Sequence, residues 1–248
     1  MCRLSFFLVF PALLLGQNSV EFTGRYWIPQ MAGRIRVESN GFGTEIDARR
    51  DLGIEDTNFP AGGFTWQHGR SRLHFEYTPI DYSGDQTVTR TVIFAGRQYT
   101  VGTRVVSDLE VRHLQLGWSY QFINVGEGKF RLGPMTEVNG FLMRGSLAAP
   151  NLTVPFQQTE DLKAGIPTVG IAMDIQPHKN VDIYGQVSGM DAGDYGHFVS
   201  SDSGVKVTAW KHVLLTAGYR TFNLNVNTSN DFAHLRMRGP FVGAGFRF

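Results

Sequence analysis

Nonpolar and polar residues alternate along most of this chain with the two-residue period of a half-buried β-strand. The clearest segment is 113–123, whose large nonpolar side chains are Leu114, Leu116, Trp118, Tyr120 and Phe122. The same alternation, less regular toward the N-terminus, is present in residues 31–37, 64–67, 72–78, 130–144, 166–177, 181–188, 204–209 and 213–220. No stretch has a sustained 3.6-residue period, so the pattern predicts an all-β chain.

Short and long connections alternate between these predicted strands. The short ones are turns at 68–71, 124–129, 177–180 and 210–212. The longer, more polar ones cover about 38–60, 81–98, 148–163, 191–199 and 227–234. This alternation is typical of outer-membrane barrels and predicts an antiparallel transmembrane β-barrel of about ten strands. An eight-stranded barrel is the alternative, and residues 81–110 are expected to form a long hairpin with its turn at 95–98.

Residues 1–16 have the composition of a secretory signal peptide. Arg3 supplies a positive charge, a mostly nonpolar run follows, and Gly16 is a small residue suited to cleavage, with Ser19 as a later alternative. The nonpolar run is shorter than the roughly 20 residues that a spanning helix needs. We therefore expect cleavage after residue 16, or as late as 19, and a single barrel domain over residues 20–248.

Composition excludes several classes of function. Charged residues are 18% of the chain and the net charge is +1, without long runs of one sign, so no nucleic-acid partner is expected. The single cysteine, Cys2, lies in the predicted signal peptide, so the mature chain is expected to lack disulfides and thiolate chemistry. The seven histidines are scattered, and we predict neither a metal site nor a cofactor.

The last strand carries a nonpolar face and ends in an aromatic residue. That face of Gly239–Phe248 consists of Val242, Ala244, Phe246 and Phe248. In this feature the chain resembles bacterial outer-membrane barrel proteins, and over about residues 20–248 it resembles the small OmpA-like or OmpW-like class. The resemblance implies a location in the Gram-negative outer membrane and recognition of Phe246 and Phe248 by the barrel assembly machinery. We expect outer-membrane lipid around a monomeric barrel.

Charged residues on the polar strand faces are predicted to point into the barrel. They are Arg34, His74, Glu76, Glu137, Asp174, Lys206 and Arg220. One interpretation is a porin-like path for a small solute, and the other is an ion-pair network that fills the interior. Side chains fill most of the interior of a barrel of about eight to ten strands, and unpaired buried charges are costly. The network is therefore the favoured interpretation.

Aromatic residues near strand ends are predicted to form a girdle at the membrane interface. They are Trp27, Trp66, Trp118, Tyr120, Trp210, Tyr219, Phe246 and Phe248. A soluble barrel would bury such residues instead, and alternation by itself does not separate the two arrangements.

Three functions from different classes follow from these patterns. The favoured one is a non-enzymatic outer-membrane barrel, either a structural or surface protein or a narrow channel for small solutes. The second is a barrel hydrolase that acts on lipid A or peptides at the outer rim, and its candidate residues are Asp191, Asp194, His197, Ser200, Asp231 and His234. The Asp-x-His spacing of omptin proteases and the His-x-Ser order of the lipid A deacylase are both absent, so no catalytic residue is assigned. The third is a soluble secreted β-barrel that binds ligands.

Overall fold

The computed structural model describes residues 18–36, 44–94, 97–151, 156–227 and 232–248. Its strands are β1 (Asn18–Trp27), β2 (Gln30–Arg36), β3 (Ile46–Asp47), β4 (Phe59–His68), β5 (Ser71–Thr87), β6 (Val92–Phe94), β7 (Arg97–Tyr99), β8 (Arg104–Tyr120), β9 (Ile123–Val125), β10 (Phe130–Ala149), β11 (Phe156–His178), β12 (Val181–Asp191), β13 (Gly196–Thr208), β14 (Val213–Asn227) and β15 (Phe232–Arg247). A short 3-10 helix, Gly193–Tyr195, connects β12 and β13. Within these ranges no helix has the length and apolar character needed to cross a membrane. The predicted signal peptide lies outside the described residues.

The long strands form one antiparallel sheet that closes on itself. β1 and β2 act as a single wall strand, because both pair with β15 on either side of the break at residues 28–29. On its other side β1 pairs with β4, and the wall continues through β5, β8, β10, β11, β12, β13 and β14 to β15. The result is a closed barrel of ten wall strands. The prediction of a ten-stranded barrel is confirmed, and the eight-stranded alternative is wrong.

The two ends of the barrel differ in the length of their connections. At the turn end, residues 69–70, 121–129, 179–180 and 209–212 join consecutive wall strands, as the sequence predicts. Gly69 has a φ of 57°, a left-handed conformation that glycine adopts without strain. Both described termini lie at this end, where the amide of Val20 donates to the carbonyl of Phe248 at 2.9 Å. The longer connections lie at the opposite end, here named the loop end.

Several segments predicted as loops are strands. β5 continues to Thr87, and its pairing with β8 extends from Ser71 opposite Tyr120 to Thr87 opposite Arg104. β11 begins at Phe156, inside the predicted loop 148–163. These extensions carry polar side chains on their exposed face, which weakens the pattern of the sequence, but their backbones are paired in the ladder. The long hairpin predicted over 81–110 is present: β5 and β8 form its arms, and β6 and β7 pair with each other in the connection between them.

The polarity of the wall inverts along the barrel axis, as β5 illustrates. Near the turn end Phe75 and Tyr77 are exposed on the outside, while Glu76 between them is buried inside. Farther along the same strand Asp81 is exposed outside and Tyr82 is buried inside. The barrel therefore has an apolar exterior around a polar interior in its turn-end half, and the reverse in its loop-end half.

The exposed nonpolar side chains of the turn-end half form a continuous surface, here named the apolar belt. It includes Phe22, Tyr26, Trp66, Phe75, Leu116, Trp118, Val138, Val169, Ile171, Val205, Leu215, Tyr219, Val242 and Phe246. Transfer of this much apolar surface from water into an apolar environment lowers the free energy strongly, so the belt is expected to be covered. A soluble barrel has an apolar interior and a polar exterior, and this half of the described wall does not have that arrangement.

One predicted girdle residue points the wrong way. The side chain of Trp27 is only 3% exposed and lies inside the barrel, where its indole nitrogen donates to the carbonyl of Gly239 at 3.2 Å. On β1 the outward positions are Phe22 and Tyr26, so the two-residue period places Trp27 on the inner face. The assignment of Trp27 to an outer girdle is therefore wrong, whereas the other seven predicted aromatic side chains are exposed.

Three phenylalanines close the interior above the polar half and are named the aromatic plug. They are Phe141, Phe198 and Phe222, whose ring centroids lie 5.1–6.0 Å apart in edge-to-face contacts. The imidazole of His113 stacks on Phe141 at 4.6 Å. Each of the three residues is at most 3% exposed, so their rings are almost completely shielded from water.

Residues 44–58, named the inner loop, fold into the loop-end half of the barrel. Leu52 and Ile54 are buried there. A Cβ atom on Gly84 would lie 2.1 Å from the carbonyl oxygen of Leu52, so this close approach of two backbones requires glycine. The inner loop also contains β3, which pairs with β2 and places Asp47 opposite Arg34.

Asp51 anchors the inner loop to the connection after β5. Its carboxylate accepts hydrogen bonds from Arg90 at 2.6 Å and from the backbone amide of Asp47 at 2.8 Å. Desolvation opposes ionisation of this group, but the hydrogen bonds from Arg90 and Arg50 outweigh it and lower the pKa of Asp51 below its ordinary value. The ionised carboxylate is thus the form that holds the loop.

We expect Arg90→Met to loosen the inner loop without unfolding the barrel. Hydrogen exchange of residues 44–54 should become faster, because Asp51 loses one of its two charged partners and keeps only Arg50. In the unchanged protein, lowering the pH below 3.8 should have the same effect, since a group with a depressed pKa loses its contribution as the pH falls from the ordinary value toward the lowered one. Arg104→Met, which removes the exposed pair with Asp85, is the matched control. Unchanged exchange in Arg90→Met would contradict this role.

Candidate functional site

The inner face of the turn-end half carries a dense set of charged side chains, here named the polar lumen. Its bases are Arg25, Arg72, Arg131, Lys206, Arg220 and Arg247, and its acids are Glu21, Glu76, Glu137, Asp174, Asp182 and Asp202. Strand periodicity explains the clustering, because alternate residues of every wall strand point inward. Six positive and six negative groups balance, so the interior as a whole carries little net charge.

Arg220 on β14 is the centre of this network. It is 3% exposed, donates to the carboxylate of Glu76 on β5, and donates to the side-chain oxygen of Gln115 on β8 at 3.2 Å. Its guanidinium also lies 5.3 Å from the ring centroid of Trp27. One side chain therefore ties three wall strands across the lumen.

Arg25 extends the same network toward β13. Its guanidinium lies 2.5 Å from Asp202 and 3.5 Å from Glu76, and it stacks over the ring of Phe241 at 4.8 Å. The bridging carboxylate of Glu76 is therefore shared between Arg25 and Arg220. Removing either arginine would leave acidic groups in excess.

A second group of ion pairs lies nearer the turn end. Glu21 is paired with Lys206 and, at 3.1 Å, with Arg247. Arg247 also reaches Asp182 at 3.1 Å. The neighbouring pair is Arg72 with Asp174, at 2.9 Å.

Glu137 on the inner face of β10 is 3% exposed. It accepts hydrogen bonds from His74 at 2.9 Å, from Gln115 at 2.7 Å and from the hydroxyl of Ser188. A carboxylate whose lone pairs are occupied in this way stabilises the packing of strands and has little capacity left to act as a general base.

The structure brings six of the seven predicted lumen residues together: His74, Glu76, Glu137, Asp174, Lys206 and Arg220. Arg34 does not join them. Its side chain is 53% exposed at the loop end and pairs with Glu45 at 3.3 Å. The prediction placed Arg34 inside, but the register of β2 with β15 sets it opposite His234, outside the polar lumen.

Several lumen residues escaped the sequence prediction. On β1, Glu21 and Arg25 alternate with the exposed Phe22 and Tyr26. This two-residue alternation is visible in the sequence and could have predicted both charged residues. Two further charged residues, Asp182 and Arg247, lie near strand ends, where the nonpolar alternation is short. Asp202 lies in the middle of β13, where its neighbours are serines and the alternation is interrupted.

Among the rim residues considered for hydrolysis, Asp191 on β12 is opposite His197 on β13. Asp194 and His197 are exposed near the 3-10 helix, and no hydrogen bond joins their side chains in the described part of the chain. Ser200 is 5% exposed and points inward, on the opposite face of β13 from His197. His234 lies on β15 opposite Arg34, and Asp231 lies outside the described residues.

A cavity of about 170 Å³ remains within the polar lumen. Charged residues of both signs line it, and it extends toward the turn end, where Ser19 and Gln176 border it. The aromatic plug closes its other side. Across the described ranges, no group of three or more His, Cys, Asp or Glu side chains is arranged to hold a metal ion.

Comparison with known proteins identifies the architecture. No family model and no curated protein matches this chain. The structure of the outer membrane protease OmpT from Escherichia coli aligns over 96% of this chain and 99% of that one, with a TM-score of 0.61 and 8% identity. The translocator domain of the autotransporter NalP from Neisseria meningitidis aligns over 94% and 89%, with a TM-score of 0.51 and 11% identity. At these identities the likeness shows the barrel fold alone.

Proposed function

We propose that this protein spans the bacterial outer membrane as a closed, non-conducting barrel with a structural or surface role and no enzymatic activity. The apolar belt supports the location, since a closed barrel satisfies every backbone group of its strands and can present apolar side chains to lipid. The similar fold of the outer membrane protease OmpT also supports it. The OmpA-like or OmpW-like class, the monomeric state and the export signal stay predictions.

The observation that carries the proposal is the occupied interior. Charged side chains of the polar lumen pair with each other across the barrel instead of lining an open path. Directly above them, the aromatic plug is almost fully buried. A hydrated ion would have to displace both layers, so we expect no passage for solutes.

The loop-end half supports a surface role. Its exterior is polar and carries exposed ion pairs along paired strands, among them Asp85 with Arg104 at 2.5 Å and Arg144 with Asp161 at 2.8 Å. Because β5, β8, β10 and β11 stay hydrogen-bonded there, the barrel projects beyond the apolar belt as a stiff wall. Such a wall suits contact with other molecules at the cell surface.

Phe246 and Phe248 are assigned to recognition by the barrel assembly machinery. Both side chains are exposed, 54% and 66%, on the outer face of the last strand. An assembly factor could therefore reach them before the barrel enters the bilayer.

Planar-bilayer recordings test the closed interior. We expect refolded protein to give no discrete conductance steps, while an open porin in the same bilayers gives them. A gel of the same sample before and after boiling should show the mobility change of a folded barrel. Salt-dependent steps from the folded sample would identify a channel instead. Recovery of the protein in buffer without detergent would contradict the membrane location.

A further inference from the structure

A second cavity lies in the loop-end half, separated from the polar lumen by the aromatic plug. Its volume is about 130 Å³. It is enclosed by β2, β8, β10, β14 and β15, with the inner loop covering it at Ala48, Leu52 and Ile54. Nothing in the proposed structural role requires an empty space here.

The inward-pointing lining of this cavity is almost entirely hydrocarbon. Met31, Leu109, Met143, Leu224 and Leu235 contribute side chains from five different wall strands. The hydroxyl of Ser107 also lines it but lies 3.4 Å from the carbonyl oxygens of both Leu52 and Gly84, and so is already partnered. A water molecule needs two to four polar partners in a cavity, and this lining leaves none for it.

Gly145 on β10 creates much of the open volume. It occupies the same inward face as Phe141, Met143 and Leu147, and these neighbours on either side of it carry large side chains. A Cβ atom added to Gly145 would meet no heavy atom within 4 Å. The space is therefore next to this residue, and a larger side chain here would fill it without backbone displacement.

We propose that this cavity binds a hydrocarbon group about the size of benzene. A dry, apolar cavity of about 150 Å³ lined by aliphatic and aromatic side chains binds benzene or xenon. This cavity has a similar size, and its lining is aliphatic with two methionines. The group belongs to a free uncharged molecule such as a single-ring aromatic, or forms the end of a lipid acyl chain. Charged and strongly hydrated ligands are excluded, because the lining has no group to replace their water.

Titration with fluorobenzene tests the proposal, using the full chain in lipid nanodiscs and ¹⁹F NMR. We expect saturable broadening of the ligand signal beyond that caused by empty nanodiscs. Gly145→Leu should weaken binding at least tenfold by filling the space. The matched control is Gly165→Leu on β11, where the added side chain lies on the outer face and also meets no atom within 4 Å. That variant should bind as the unchanged protein does.

Competition distinguishes the two sources of the hydrocarbon group. Displacement of fluorobenzene by toluene but not by decanoate indicates a free small ligand, and displacement by both indicates that an acyl chain also enters. If Gly145→Leu fails to fold, the smaller Gly145→Val should still reduce binding. Absence of saturable binding, or equal binding by the Gly145 and Gly165 variants, would overturn the proposal. Neither result bears on conductance, so the closed-barrel proposal is tested separately.

Discussion

Arg220→Met should lower the free energy of unfolding by about 3 to 5 kcal/mol, the cost of removing one partner from a buried ion pair. The variant leaves Glu76 and Asp202 to share the single charge of Arg25. It also removes the hydrogen bond to Gln115 and the contact with the ring of Trp27. Urea-induced unfolding from lipid vesicles, followed by tryptophan fluorescence, measures the change.

Two further variants separate the buried charge from a general effect of losing an arginine. Arg144→Met removes an exposed pair, with side chains 61% and 56% exposed, and should cost less than about 1 kcal/mol. The double variant Glu76→Leu with Arg220→Met removes both buried charges and should recover much of the lost stability, as apolar replacements of buried pairs often do. A double variant less stable than Arg220→Met would contradict the network described for the polar lumen.

Phe222→Ala should cost about 3 to 5 kcal/mol by opening a cavity in the aromatic plug. Phe222 contacts Phe141 at 5.5 Å, Phe198 at 5.1 Å and His113 at 5.8 Å, measured between ring centroids. These neighbours belong to three other strands of a closed wall, which limits their collapse into the space. The same unfolding measurement in vesicles detects the loss.

Leu215→Ala on the same strand is the control for Phe222→Ala. Leu215 lies in the apolar belt and is 51% exposed, so its truncation leaves no internal cavity and should cost clearly less. Equal losses in the two variants would mean that the plug contributes no more than the outer surface. Retention of full stability by Phe222→Ala would show that the loop-end interior is loosely packed.

The residue pattern alone determined the class of fold. A strand places alternate side chains on opposite faces, so the series Leu114, Leu116 and Trp118 against Gln115 and Ser119 had one structural meaning. The turns were also predictable, because short polar breaks between such segments leave room only for tight connections. Five of the twelve charged residues of the polar lumen, together with the neighbouring His74, followed from the same period.

Only the tertiary structure decided which face of a strand turns inward at each height of the barrel. Alternation is equally regular in both halves of β5, but the apolar positions switch from outside at Phe75 to inside at Tyr82. The sequence also did not predict which charged residues pair with each other, since Arg25 and Asp202 are 177 residues apart in the chain. Their pairing depends on register around a closed wall, and register is a property of all ten wall strands together. The cavity beside Gly145 also depends on how the wall strands pack around it, and no local sequence pattern predicts it.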